Sequence, residues 1–598
     1  MGVLSLAVLI GTPAQATLPI GPQFRVSQMG PDGDVNFMAS AAAVAYNPQA
    51  NQYLVVWRGS NTTPDEFEIW GRFVDAAGNP LGGNFRISDL GPDGDVNYGA
   101  AHPAVAYNGQ ANEYLVVWSG DDNTLPLVDN ELEIFGQRLS ATGFEVGTND
   151  FRISDMGPNG DVNYTAHNSE VAYNGQANEY LVIWYGDDNT PPLVDGELEI
   201  FGQRLSASGA EAGTNDFPLS DMGPNGDANY DSNTPAVTYN GQANEYLVVW
   251  QGDDNTVPLV EGEHEIFGQR LSALGAEAGA NDFRISDMGP DGDGNYDASR
   301  PAVASSGQAN EYLVVWSGDD NTPPLVGEED EIFGQRLSAT GVEVGTNDFR
   351  LSDMGPSGDV NYNAFEPAVI YNTQANEFLI AWYGDDNTLP LVDNELEIFG
   401  QRLSPSGAEL DANDFRISQM GPDGNLNFRA SEPAVTYNGQ ANEYLVAWHG
   451  DHDVAPAVDN ELEIWARRSG AAALPTAGPC TITGTPGNDV ITGTSGDDRI
   501  CALGGNDRVF GLGGDDRIVL GPGRDRAFGG SGRDVIFGGK GPDRISGGGG
   551  RDRLFGGRGR DVLLARDRVR DLVHGGRGFD RARVDRRRDT RRSIERLF

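Results

Sequence analysis

The chain has 598 residues, of which 41 are Lys or Arg and 89 are Asp or Glu, giving a formal charge of −48 at pH 7. That length exceeds what one hydrophobic core organises, so several domains or a repeat array are expected. The charge is uneven: 24 basic and 17 acidic residues lie from Cys480 onward, against 17 and 72 before it. A segment at −55 repels phosphate, which excludes nucleic-acid binding for the bulk of the chain. Nine Trp, 19 Tyr and 25 Phe are too many for a disordered acidic polymer.

Met1 to Ile10 form a largely apolar run, followed by Ala14-Gln15-Ala16. This is the pattern of a signal-peptide core and cleavage site, although no basic residue precedes it. Residues 1–16 are therefore read as a signal peptide and the mature protein as secreted; the alternative is a short apolar stretch that packs. No later run approaches the ~20 apolar residues of a bilayer-spanning helix, so no transmembrane segment is expected. Cys480 and Cys501 are the only cysteines, and in an exported chain they are expected to form a disulfide rather than remain thiols.

Residues 17–470 repeat. The Phe that opens Phe-Arg-Ile-Ser and its variants recurs at 24, 85, 151, 217, 283, 349 and 415. The Trp that ends Tyr-Leu-Val-Val-Trp recurs at 57, 118, 184, 250, 316, 382 and 448. Each unit holds four short strand-like pieces, in the second copy Ala104–Asn108, Glu113–Trp118, Glu133–Ser140 and Phe151–Ser154, bounded by Gly, Asn, Asp or Pro. Four strands in seven units predict an all-β seven-bladed β-propeller. The last unit lacks a fourth strand, while Phe24–Ser27 has no blade before it, so the two can complete one blade and close a ring. A linear β-solenoid would give no reason for that matched deficit.

Two polar motifs travel with the blades. Asp287, Asp291, Asp293 and Asn295 place oxygens at alternate residues around a glycine, which suits either a calcium loop or a turn whose Asp and Asn cap their own backbone. The third position varies, as Asn225 and Ser357 show, and no bidentate Glu follows. Gly120-Asp121-Asp122-Asn123 and its copies follow the Trp and read as a solvated loop or a cation- or sugar-binding one. The Trp itself reads as blade core before sugar platform.

From Gly484 the period falls to nine. Asp recurs at Asp489, Asp498, Asp507, Asp516, Asp525, Asp534, Asp543, Asp552 and Asp561, each followed two residues later by an aliphatic residue from Ile491 to Leu563. The register then slips by one to Asp571, and Asp580 follows. This array resembles the haemolysin-type calcium-binding nonapeptide repeat of RTX proteins, Gly-Gly-x-Gly-x-Asp-x-U-x with U apolar. The resemblance implies a parallel β-roll over residues 480–582 holding Ca²⁺ as cofactor through those nine Asp side chains and Gly-rich backbone, with calcium needed for folding. Residues 471–479 are read as a linker. Early repeats carry Thr485, Thr494, Leu503 and Leu512 where the family has Gly, and later ones place Arg524, Arg533, Arg551 and Arg560 beside the Asp. Leu520 and Ala527 make Asp525 the weakest expected ligand. The basic tail 583–598 reads as a solvated cap or as a docking element for an anionic surface.

Six histidines occupy no repeated position, and no HExxH or GxSxG motif occurs. The expected function is a secreted, calcium-binding, non-enzymatic protein whose propeller serves as a binding or scaffold module. A lectin-like adhesin with a glycan or cell-surface ligand, and a propeller hydrolase or lyase, are the alternatives.

Overall fold

The computed structural model describes residues 19–598 except 33, 62, 93, 123–126, 129, 189–195, 225–226, 228, 255–258, 260–261, 291–293, 295, 321–328, 356–361, 386–393, 412–413, 422–424, 427, 453–460, 471–481, 486, 497, 515, 578, 586–589, 593, 595 and 598. The expected signal peptide, the linker and Cys480 lie outside the described residues, as do Asp291, Asp293, Asn295, Asn225 and Ser357. The chain divides into two compact units, Met1–Ala472 and Ala473–Phe598. Among the described residues no helix is long and apolar enough to cross a membrane.

The first unit is a ring of seven four-stranded antiparallel sheets. Blade 2, for example, runs Ala100–Asn108, Glu113–Asp121, Leu132–Ser140 and Glu145–Arg152. The first strand of each blade touches the first strand of the next, and Ala39–Asn47 touches Ala430–Asn438, so these seven strands line the axis. Neighbouring blades cover both faces of the second strand, which is why its sequence is a continuous apolar run instead of an alternating one. Tyr114, Leu115, Val116, Val117 and Trp118 are all fully buried. Every one of the seven repeated Trp has no exposed surface, and the Trp57 and Trp184 indoles donate to the sulfurs of Met29 and Met156 at 3.3 and 3.4 Å. The Trp is blade core.

Ring closure follows the strand deficit. Pro19–Arg25 pairs antiparallel with Glu463–Gly470, setting Phe24 opposite Ala466 and Arg25 opposite Trp465, and supplies the fourth strand of blade 7.

Inside each blade a glutamate is buried at a fixed place. Glu133 accepts the Ser154 hydroxyl and the Met156 N–H (3.0 Å), and Glu265 does the same with Ser286 and Met288 (2.9 Å). Burial pushes the Glu133, Glu199, Glu265 and Glu331 carboxyls up to about 8, against the stabilising hydrogen bonds. The first Asp of the Gly-Asp-Asp motif is also buried and ties its loop: Asp121 accepts the Asn130 N–H at 2.7 Å, and Asp253 the Gly262 N–H at 2.6 Å. In the described Asp-x-Asn turns, Asp95 and Asp161 accept the side-chain amides of Asn97 and Asn163 at 2.7 and 2.8 Å, as a self-capped turn requires.

Each axis-lining strand also carries a register shift near its start, as between Ala101 and Ala104 or between Ser299 and Ala302. One residue per blade there has a positive φ, near +50°: Ala41, His102, Asn168, Thr234, Arg300, Glu366 and Glu432. None is glycine, so each turn holds a conformation that costs roughly 1 kcal/mol or more.

The second unit is a parallel roll of two seven-stranded sheets. Strands pair with those 18 residues away, placing Ile491 beside Val509 and Val509 beside Ala527 in one sheet, and Ile500 beside Ile518 in the other. The aliphatic residue two places after each Asp points inward, forming one core row from Ile491 to Val584. Pairing continues through Thr590–Arg592 and Arg596–Leu597, within the stretch 583–598 where the nonapeptide period has faded. Cys501 is disulfide-bonded.

Deleting residues 19–25 should expose the edge of Glu463–Gly470, lowering the thermal midpoint and producing dimers or larger species by size-exclusion chromatography. The glutamates predict a pH trend as well. Their folded-state values lie above the unfolded one, so the native ring retains protons that the unfolded chain loses, and stability falls as pH rises from about 4.5 to about 8. At fixed calcium the melting temperature should drop across that window, and Glu265→Gln, which mimics the protonated acid, should flatten the slope.

Candidate metal centre

The nonapeptide carboxylates form two columns. Asp489, Asp507, Asp525, Asp543 and Asp561 precede strands of one sheet, and Asp498, Asp516, Asp534 and Asp552 precede strands of the other. Asp489 is half-buried, and the other eight are at most 5% exposed. In every turn the Oδ1 of one Asp accepts the backbone N–H of the Asp 18 residues earlier: Asp507 from Asp489 at 2.8 Å, Asp516 from Asp498 at 2.9 Å, and Asp561 from Asp543 at 2.8 Å. Asp571 and Asp580 continue the columns across the one-residue slip, accepting from Asp552 and Asp561 at 2.9 and 2.7 Å.

The second carboxylate oxygen is treated differently. Oδ2 of Asp507, Asp525, Asp543, Asp552 and Asp561 is buried and makes no hydrogen bond. A buried, unbonded carboxylate oxygen is costly, and the protein responds by holding its proton. Burial, with neighbouring carboxylates adding, raises Asp543 to about 8 and Asp561 to about 6, and raises Asp507 and Asp525 too.

Glycine shapes the space beside these oxygens. A side-chain carbon at Gly538 would lie 2.8 Å from Asp543 Oδ2 and 2.3 Å from the Gly556 carbonyl oxygen. One at Gly556 would lie 2.6 Å from Asp561 Oδ2 and 2.3 Å from the Gly575 carbonyl oxygen. The same pairing of a carboxylate with a carbonyl oxygen surrounds Gly484, Gly493, Gly511 and Gly529. Hard oxygens converging on a cradle without a side chain suit a hard divalent cation. Among the described residues no group of three or more His, Cys, Asp or Glu side chains gathers, so a cation here would rely on one carboxylate per turn and on backbone carbonyls.

This geometry separates the nine expected ligands in a way their spacing does not. Asp489, Asp498, Asp516, Asp534, Asp543, Asp552 and Asp561 each follow such a glycine by five residues. Asp507 and Asp525 instead follow Ala502 and Leu520, both fully buried in the core row, which fill the cradle. The arginines that adjoin the later expected ligands, Arg524, Arg533, Arg551 and Arg560, are exposed.

Gly538→Ala should therefore destabilise the C-terminal unit by about 1–3 kcal/mol through overpacking, read as a lower thermal midpoint. Gly549→Ala, where nothing lies within 4 Å of the added carbon, should leave it unchanged in the same calorimetric scan.

Residues 481–509, 502–527 and 528–563 match the family model of the RTX calcium-binding nonapeptide repeat. No curated protein matches the chain. Among solved structures, the propeller is similar to polysaccharide lyase Uly1 (8% identity, 77% of this chain and 100% of that one, TM-score 0.41). It is also similar to the GH93 α-L-arabinofuranosidase of Fusarium graminearum (11%, 75% and 98%, TM-score 0.37) and to the Hadza microbial sialidase Hz136 (10%, 70% and 76%, TM-score 0.37). The expectation of a non-enzymatic protein is corrected by these likenesses. Propellers of this kind include enzymes, so near-identical blades and the absence of a short catalytic motif do not exclude catalysis. At such identities the likeness describes the fold and carries no reaction to this chain. With their Asp columns, glycine cradles and inward aliphatic row, residues 481–563 carry RTX calcium-binding nonapeptide repeats.

Proposed function

We propose that this is an exported protein whose nonapeptide array binds several calcium ions and completes its folding on doing so, while the propeller presents a face to a glycan or cell-surface ligand. The observation that carries this reading is the buried Oδ2 of Asp543, Asp552 and Asp561, each without a hydrogen bond and beside the glycine cradle of Gly538, Gly547 or Gly556. Asp489, Asp498, Asp516, Asp534, Asp543, Asp552 and Asp561 would hold the ions, with Gly-rich carbonyls completing the shell; Asp507 and Asp525 would be the poorest ligands. A bound divalent cation supplies the positive charge that the array's inner surface lacks. These residues position it by their register: from Asp516 onward each Asp is fixed by the N–H bond to the turn before, and Asp489 and Asp498 by the backbone N–H of Thr485 and Thr494.

Export is supported by the apolar leader ending in Ala14-Gln15-Ala16 and by the disulfide at Cys501. Extracellular calcium is abundant enough to occupy sites of modest affinity.

Calcium titration of the full chain, followed by circular dichroism and calorimetry, should show cooperative gain of strand signal with several ions bound. Asp543→Asn should reduce the number bound and Leu520→Gly should restore affinity at Asp525. A chain whose spectrum, melting temperature and heat of mixing are indifferent to calcium would overturn the reading.

A further inference from the structure

The blades are close copies in their strands, yet they diverge at one level, the positive-φ residue near the start of each axis-lining strand and its cross-strand neighbours. The seven residues there are Ala41, His102, Asn168, Thr234, Arg300, Glu366 and Glu432. A glycine would hold this turn more cheaply in every blade, but the chain places an imidazole, a guanidinium and two carboxylates instead. The neighbouring pairs diverge equally: Ser40 lies opposite Arg58, His167 opposite Tyr185, Phe365 opposite Tyr383, and Ser431 opposite His449.

Because these strands line the axis, their differing side chains meet. Arg300 of blade 5 forms an ion pair with Glu366 of blade 6, whose N–H donates to Ser317 of blade 5 at 2.9 Å. Glu432 of blade 7 lies 3.4 Å from His449 Nδ1, and His449 Nε2 lies 2.9 Å from the Ser431 hydroxyl. Across the channel, Glu432 is within electrostatic reach of His102 and Arg300, and Arg58 is within reach of Glu432. Burial alone would raise the Glu432 carboxyl, but His449, His102 and Arg300 outweigh it and hold the group below its ordinary value. Aromatic faces adjoin the charges: Phe365 and Tyr383 pack at 5.5 Å, His167 stacks on Tyr185 at 5.3 Å, and Arg58 lies 3.7 Å over Phe67. The cluster remains open, with the Arg300 side chain 56% and that of Glu432 44% exposed.

We propose that this end of the channel is a single asymmetric binding site for a neutral saccharide, in which Glu366 and Glu432 accept hydroxyl hydrogen bonds, Arg300 and His102 donate them, and the Phe365–Tyr383 pair receives an apolar sugar face. Mixed donors and acceptors beside aromatic rings match a polyhydroxylated ligand with one apolar face. The acidic body of the propeller repels anions, and Arg58 and Arg300 in the same ring oppose a bare cation. The site specifies the glycan-binding part of the reading above and does not depend on calcium in the nonapeptide array.

The test is an array of neutral and acidic glycans probed with the full calcium-loaded chain, followed by calorimetry on the strongest neutral binder. Retention of a neutral glycan is expected, with Arg300→Ala and Glu432→Gln each weakening it roughly tenfold or more and the melting temperature held within about 2 °C. Glu211→Ala, on an outer strand, should bind as the parent does. A chain that retains no neutral glycan, retains acidic glycans alone, or binds equally well with Arg300 and Glu432 replaced would overturn the site. None of these results would bear on the calcium titration, which reads the Asp columns.

Discussion

A buried carboxylate oxygen accepting a backbone N–H is the bond that both halves of this protein repeat. In the propeller, Glu133 and its counterparts accept an N–H with one oxygen and a serine hydroxyl with the other. In the roll, Asp561 accepts the Asp543 N–H with Oδ1 and leaves Oδ2 without a hydrogen bond. The difference decides what each acid does. Two satisfied oxygens make a structural joint that tolerates a proton, whereas one satisfied oxygen and one without a hydrogen bond, beside a carbonyl, present the hard donors that suit a divalent cation.

Much of the fold was legible because repetition multiplies a weak local signal. One Tyr-Leu-Val-Val-Trp run is ambiguous between a strand and a buried helix segment, but seven of them at a near-constant interval are not. Ring closure was also readable, since a three-stranded last unit and a lone first strand leave only one economical pairing. The candidate metal centre was legible in part. Spacing identified the Asp residues and, through Leu520, marked Asp525 as the weakest, but it passed over Ala502, because a sequence does not reveal that a side chain at that position occupies the space a neighbouring carboxylate faces. Asp571 and Asp580 were seen beyond a one-residue slip and left out of the nine, yet the turns absorb that insertion while Oδ1 still finds its N–H.

The channel cluster was hidden for the opposite reason. His102, His167 and His449 fill no common repeat position, and scattered histidines ordinarily signify little. His102 is within electrostatic reach of His167 and of Glu432, and Glu432 contacts His449 from the adjoining strand, so residues from blades 2, 3 and 7 become neighbours through the ring and not along the chain. The informative signal was the reverse of periodicity: the place where copies that agree elsewhere cease to agree.

The closing strand Pro19–Arg25 also sets an order of events. Its partner, Glu463–Gly470, is more than four hundred residues further along the chain, so the first strand synthesised waits for nearly the whole ring before it can pair. Blades 1 to 6 can each form from contiguous sequence, but blade 7 reports that all the others have been made. A chain interrupted anywhere before Gly470 keeps an open edge, which makes the joint a built-in check on completeness.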